Sequence, residues 1–226
     1  MKELEPTVSV VLSSKYTPNS ESAPAWEAIQ YKTVEFAGTF DLQNVYKGTP
    51  RPELDEAWDA LIHGGNFAID EDAMHRINKS HNLEYAVKFP EETGGGYVAG
   101  LEMFHQMHCV NFLRQYTYRE YYENDIQAFT DGPELLRLHL DHCIDMLRQV
   151  VMCYADTTLL TGVWVKGYPR LSADFNTQHK CRDYEALKDW NKKHADRPES
   201  YSHIRKPEGA KEMEMPSWVA LQEDGY

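Results

Sequence analysis

Apolar residues recur at helical spacing in five stretches of the chain. Glu53 to His63 sets Leu54, Ala57, Trp58 and Leu61 on one face and stops at Gly64-Gly65. Asp70 to Asn78 predicts a shorter helix with Asp70 as its cap. The two longest patterns run from Ala99 to Tyr122 and from Pro133 to Tyr154, the second opened by Asp131-Gly132-Pro133. Cys181 to His194 adds an amphipathic helix carrying Tyr184, Leu187 and Trp190. Strand signals are short: Val8 to Leu12, Thr33 to Phe36, and Thr157 to Val165. Gly94-Gly95-Gly96 reads as a loop, with a substrate lid as one use for it. The pattern predicts a mainly α single domain with a few short strands and long irregular loops. Prolines mark its ends: an N-terminal arm over 1–30, a domain over 31–195 and an extended tail over 196–226, pinned by Trp218.

The two longest helices contain a repeat. His105-Gln-Met-His-Cys-Val-Asn-Phe-Leu-Arg-Gln115 aligns with His139-Leu-Asp-His-Cys-Ile-Asp-Met-Leu-Arg-Gln149, and six of the eleven positions are identical. On a helix, residues three apart share a face. His105 and His108 therefore point one way within the stripe Leu101, His105, His108, Phe112. His139 and His142 do the same within Leu135, His139, His142, Met146. The short connection lets the two helices pack together antiparallel, so that the four imidazoles converge. A histidine on an apolar face is ordinarily a hydrogen-bonded core residue. Two matched pairs at equal spacing point instead to a metal, because four imidazoles packed without one would leave ring nitrogens in need of partners. Neutral imidazoles suit copper, zinc, iron or nickel and not magnesium or calcium. Spacing alone leaves copper and zinc both open, and a structural four-His zinc in a non-catalytic protein remains an alternative.

Charge narrows the partners. With 23 Lys and Arg against 36 Asp and Glu, the formal net charge is −13, which argues against nucleic acid or an anionic membrane surface. No apolar run is long enough for a membrane span, and no signal peptide opens the chain. An anchor upstream of Met1 stays open, as does a homo-oligomer. The four cysteines, Cys109, Cys143, Cys153 and Cys181, allow two disulfides without requiring them. Asn78-Lys79-Ser80 is a single glycosylation sequon.

The twin His-x-x-His-Cys motifs resemble those of the fungal UstYa-like oxidase family. Further stretches agree with it: Asn44-Val-Tyr-Lys-Gly-Thr-Pro50 followed by Glu53-Leu-Asp-Glu-Ala-Trp58, Gly96 to Phe104, Cys153-Tyr-Ala-Asp-Thr-Thr158, and His179-Lys-Cys-Arg182 with Trp190. The resemblance covers residues 40–192 and makes 31–195 a UstYa-like catalytic domain. It implies a copper-dependent oxidoreductase of fungal secondary metabolism, with dioxygen as co-substrate and a peptide or small natural product as substrate. Oxidative cyclisation, hydroxylation, desaturation and halogenation are all open. The implied ligands are His105, His108, His139 and His142, around one copper or two. A secretory-pathway lumen and an N-terminal anchor in the full-length form are implied too.

Other residues keep two readings each. Cys109 and Cys143 sit about 100° round the helix from a ligand and could be soft ligands. Alternatively, Cys109–Cys143 and Cys153–Cys181 are bracing disulfides, which an oxidising lumen favours. Arg114 and Arg148 either pair with carboxylates structurally or orient an acidic substrate. Gln115 and Gln149 either pack or hydrogen-bond behind the ligands. His63, His75, His81 and His194 are expected in solvent, while His179 is a weaker ligand candidate. Tyr116, Tyr118, Tyr121 and Tyr122 are expected to form a helix-packing face.

Overall fold

A computed structural model describes residues 21–195 and 204–214. The expected strand at Val8 to Leu12 and the Trp218 anchor lie outside the described residues. In chain order the regular elements are β1 (Tyr31–Glu35), α1 (Pro52–Ile62), β2 (Phe67–Ile69), α2 (Glu71–Arg76), β3 (Tyr97–Ala99) and α3 (Glu102–Tyr116). These are followed by α4 (Arg119–Tyr122), α5 (Gln127–Thr130), α6 (Pro133–Tyr154), β4 (Thr161–Trp164), β5 (Leu171–Asp174), β6 (Gln178–Arg182) and α7 (Tyr184–His194). Short 3-10 turns occur at Pro24–Ala28, Ser80–Asn82 and Glu91–Thr93.

The helix-rich expectation holds. Asp70 caps α2 as its chemistry predicts, its carboxylate accepting from the Ala73 N–H at 2.7 Å. Pro133 opens α6, which ends at Tyr154 as expected.

Three helix boundaries differ, each because the backbone found another partner. Residues 97–99 pair antiparallel with β2, Tyr97 opposite Ile69, so α3 starts at Glu102 and not Ala99. Residues 178–182 pair with β1, Cys181 opposite Lys32, so α7 starts at Tyr184 behind its cap Asp183. At the far end of α3, the Thr117 hydroxyl donates to the Arg114 carbonyl at 2.6 Å and Tyr118 leaves helical geometry. That break lets the Tyr122 hydroxyl turn back and donate to Asp55 at 2.7 Å.

Two apolar clusters organise the molecule. One gathers Phe67, Ile69, Ala73, Met74, Tyr97 and Trp190 where α7 covers the β2–β3 pair. The other joins α3, α5 and α6 through Cys109, Phe112, Tyr122, Phe129, Leu136, Leu140 and Cys143. Tyr116 and Tyr122 belong to this second cluster, while Tyr118 and Tyr121 face solvent, so only half of the expected tyrosine face packs. Gly64, just past α1, lies flat against the Phe104 ring. A Cβ there would sit 2.0 Å from the ring, so only glycine lets the α1 exit pass α3. No helix among the described residues is long and apolar enough to cross a membrane.

Candidate metal centre

The helices α3 and α6 pack with their two motifs face to face, which brings the predicted histidines together in crossed pairs. His105 Nε2 lies 3.2 Å from His142 Nε2. His108 and His139 stack at 5.8 Å between ring centroids, with an interplanar angle of 27°. The seam itself is filled by smaller side chains: Cys109 and Cys143 are fully buried. The imidazoles therefore line an open flank beside the seam. His105 and His139 are half-buried and His108 and His142 reach solvent, against the expectation that all four would be buried in the gap.

The pair chemistry fits a metal. Glu102 can only accept, so His105 Nδ1–H donates to its carboxylate at 2.9 Å, and Nε2 is left with its lone pair facing His142. An ion held about 2.0 Å from two nitrogens 3.2 Å apart would see them at an angle of about 106°, an ordinary coordination angle. His105, Cys109 and His142 offer ligand atoms that all lie within 4.8 Å of one another. Partial burial against Phe112 and His139, then the charges of the neighbouring imidazoles, holds His108 below the ordinary histidine range even though one edge of the ring reaches solvent, and burial does the same to His139. Neutral rings are the form that binds metals.

The cysteines do not form the expected disulfides. All four are free thiols. Cys109 and Cys143 share a thiol–thiol hydrogen bond, and burial raises both above the ordinary thiol range. Cys109 Sγ stands 3.8 Å from His105 Nε2. Cys153 is exposed and Cys181 partly buried; their chain neighbours Tyr154 and Arg182 approach at 6.0 Å, but no bond joins the sulfurs.

The matched arginines and glutamines part company. Arg114 donates to Asn111 Oδ1 (2.8 Å), to Tyr122 Oη (2.8 Å) and to Asp55 (2.7 Å), tying α3 to α1 and α4. Arg148 lies on the surface, donating to Asp145 at 2.7 Å, and Gln149 donates to the same carboxylate. Neither arginine touches an imidazole. Gln115 lines a cavity of about 830 Å³ beside the histidines, whose wall includes His108, Asn111, Phe112, Leu135, His139 and His142. Phe112 stacks on His139 at 4.2 Å, joining the cavity's apolar wall to the cluster.

His179 is outside the cluster. It stacks on Phe36 at 3.7 Å and its Nδ1–H donates to Asp156 at 2.8 Å. His63 and His194 bond to backbone carbonyls, and His75 faces Glu71. Glu102, Asn111 and the cavity were not anticipated. The spacing Glu102-x-x-His105 is the one local signal that could have found the first.

A helical protein with an imidazole cluster on the rim of an apolar cavity is the class these observations define. The chain belongs to the UstYa family: the family described as mycotoxin biosynthesis protein UstYa matches residues 6–194. It is 37% identical over 149 residues to the UstYa family oxidase phomYc of Diaporthe leptostromiformis, covering 64% of this chain and 57% of phomYc. The transacylase cctO of Talaromyces islandicus is 32% identical over 178 residues, covering 76% of this chain and 59% of cctO. The oxidase ustYa of Aspergillus flavus is 29% identical over 159 residues, covering 58% of this chain and 69% of ustYa. The chain thus spans less than two thirds of the length of phomYc and cctO. No solved structure matches it.

Proposed function

We propose that this chain is a copper-dependent oxidoreductase of fungal secondary metabolism, which uses dioxygen to functionalise C–H bonds of a peptide or small natural product. The observation that carries the reading is the 3.2 Å approach of His105 and His142 Nε2 beside a cavity walled by His108 and His139. The oxidase names of phomYc and ustYa support it. Copper, when bound, supplies one-electron chemistry with dioxygen.

The chain's own residues do the rest. Glu102 holds the His105 Nδ1 proton and keeps Nε2 free to coordinate. His108 and His139, both held below the ordinary histidine range, stack beside that pair and would offer further imidazole donors. Ile62, Phe112, Ile126, Leu135 and Leu138 give the substrate an apolar wall that keeps water away. Gln115 and Asn111 offer amide hydrogen bonds to orient it.

Metal analysis of the protein purified without added metal tests this reading. Copper with a reducible Cu(II) spectrum, lost in His108→Ala and His142→Ala with the fold retained, is the expected result. Tightly held, spectroscopically silent zinc would replace it with a structural site. Turnover that requires halide would turn the oxidase into a halogenase on the same ligands.

A further inference from the structure

The β4–β5 hairpin carries an apolar face that nothing in the described chain covers. Register sets Trp164 opposite Leu171 and Gly162 opposite Ala173, so these four residues share one face, while Thr161, Val163, Ser172 and Asp174 share the other. Gly162 keeps the face flat: Leu171 lies over it, with its Cδ1 2.6 Å from where a Cβ would be. Phe175, the residue after β5, meets Phe40 at 6.0 Å and extends the face. Trp164 is 81% exposed, Leu171 64% and Phe40 91%. Every residue of β4 is exposed, although a lone two-stranded hairpin is only marginally stable in water.

We propose that this face is an interface with a second copy of the chain. Charge is the first argument. From Thr157 to Ala173 there is no acidic residue, in a chain that holds 36 of them and a net charge of −13. Two such acidic molecules repel over most of their surface and repel least along this stretch, whose only charges are Lys166 and Arg170. Area is the second. An aromatic side chain can bury about 150–250 Å². Trp164 and Phe40 are nearly fully open and Leu171 adds to them, so the face offers on the order of 500 Å². A two-fold pairing would bury twice that, at the lower bound of about 1,000 Å² for a specific interface. A lipid bilayer is the poorer occupant. Lys166 and Arg170 flank the hairpin tip, and inserting it would drag two cations into hydrocarbon.

Sedimentation of the full chain in dilute, moderately salted buffer tests this independently of any metal or activity. A dimer of the 26.2 kDa chain is expected. Trp164→Arg and Leu171→Arg should each weaken it on the order of 30-fold, as loss of an interface hot spot does, with an unchanged circular dichroism spectrum. Tyr121→Arg, at another exposed aromatic, should leave it dimeric. A wild-type monomer at micromolar concentration overturns the proposal, as does a dimer that survives both hairpin variants. A monomer that co-sediments with phosphatidylcholine vesicles through Trp164 would also overturn it and assign the face to a membrane.

Discussion

His105 Nε2 and His142 Nε2 face each other at 3.2 Å although 37 residues separate them in the chain. The contact exists because the seam between α3 and α6 is occupied by Cys109 and Cys143, which let the helices close and push the imidazoles onto a common flank. Glu102 fixes which His105 nitrogen is available. Removing such a partner from a ligating histidine typically lowers metal affinity about 10–100-fold. Glu102→Gln should therefore weaken copper binding within that range, measured by competition with a chelator of known affinity. The thermal midpoint of the metal-free protein should barely move, because this ion pair is exposed. Unchanged copper affinity in Glu102→Gln would remove Glu102 from the site.

The repeat's two arginines make the second test. Arg114 joins Asp55, Asn111 and Tyr122 in a partly buried network, and burial, helped by the hydrogen bond to Asp55, lifts the Tyr122 hydroxyl to about 12. Arg148 makes an exposed bond three residues back on its own helix. Hydrogen bonds to charged groups contribute about 1.5–3 kcal/mol, and deleting one partner strands the others. Arg114→Ala should lower unfolding free energy by about 2–3 kcal/mol in urea melts. Arg148→Ala should leave the midpoint where it is. Equal effects would mean that the repeat is structurally symmetric, which the contacts of the two arginines contradict.

What the sequence disclosed follows from range. Helix periodicity, the Asp70 cap and the Pro133 start are local and were legible. So was the His-x-x-His repeat, since its spacing defines a face without reference to the rest of the chain. Two short strands were legible as well, since Thr33 to Phe36 and Thr157 to Val165 overlap β1 and β4. The others were not: β2 and β3 hold three residues each and exist only as partners, and the last two residues of β6, Cys181 and Arg182, read as the start of a helix until Tyr31 to Glu35 pairs with that strand. The cysteine reading failed for a related reason. Equivalent repeat positions correctly brought Cys109 and Cys143 together, but proximity alone does not form a bond. Which side of the seam the histidines would take depended on packing volume, where a thiol fits and an imidazole does not.

That packing predicts thiol behaviour. Cys109 and Cys143 are inaccessible, and burial holds their thiols protonated, whereas Cys153 is exposed. The thiolate is the reactive form, so native protein treated with an alkylating reagent should label Cys153 first and Cys181 more slowly. Cys109 and Cys143 should label only with denaturant present. Peptide mapping by mass spectrometry reads the order. Labelling of Cys109 under native conditions would mean that the α3–α6 seam opens.

Asp156 predicts an acid transition. Its carboxylate accepts from the Thr158 hydroxyl, from the Thr158 N–H at 2.8 Å and from His179, which lowers its pKa to about 2. His179 in turn stacks on Phe36, so the carboxylate links the exit of α6 to the β1–β6 pair. An unfolded aspartate titrates near 3.9, approximately. A depressed folded value stabilises the native state above the unfolded pKa, and that contribution fades as pH falls through the folded one. Asp156→Asn removes the charge and should lower the thermal midpoint by a constant amount above about pH 5. The gap between wild type and variant should then narrow from about pH 4 and close near about pH 2. A gap that stays constant through this window would mean that the carboxylate's hydrogen bonds do not favour its charged form.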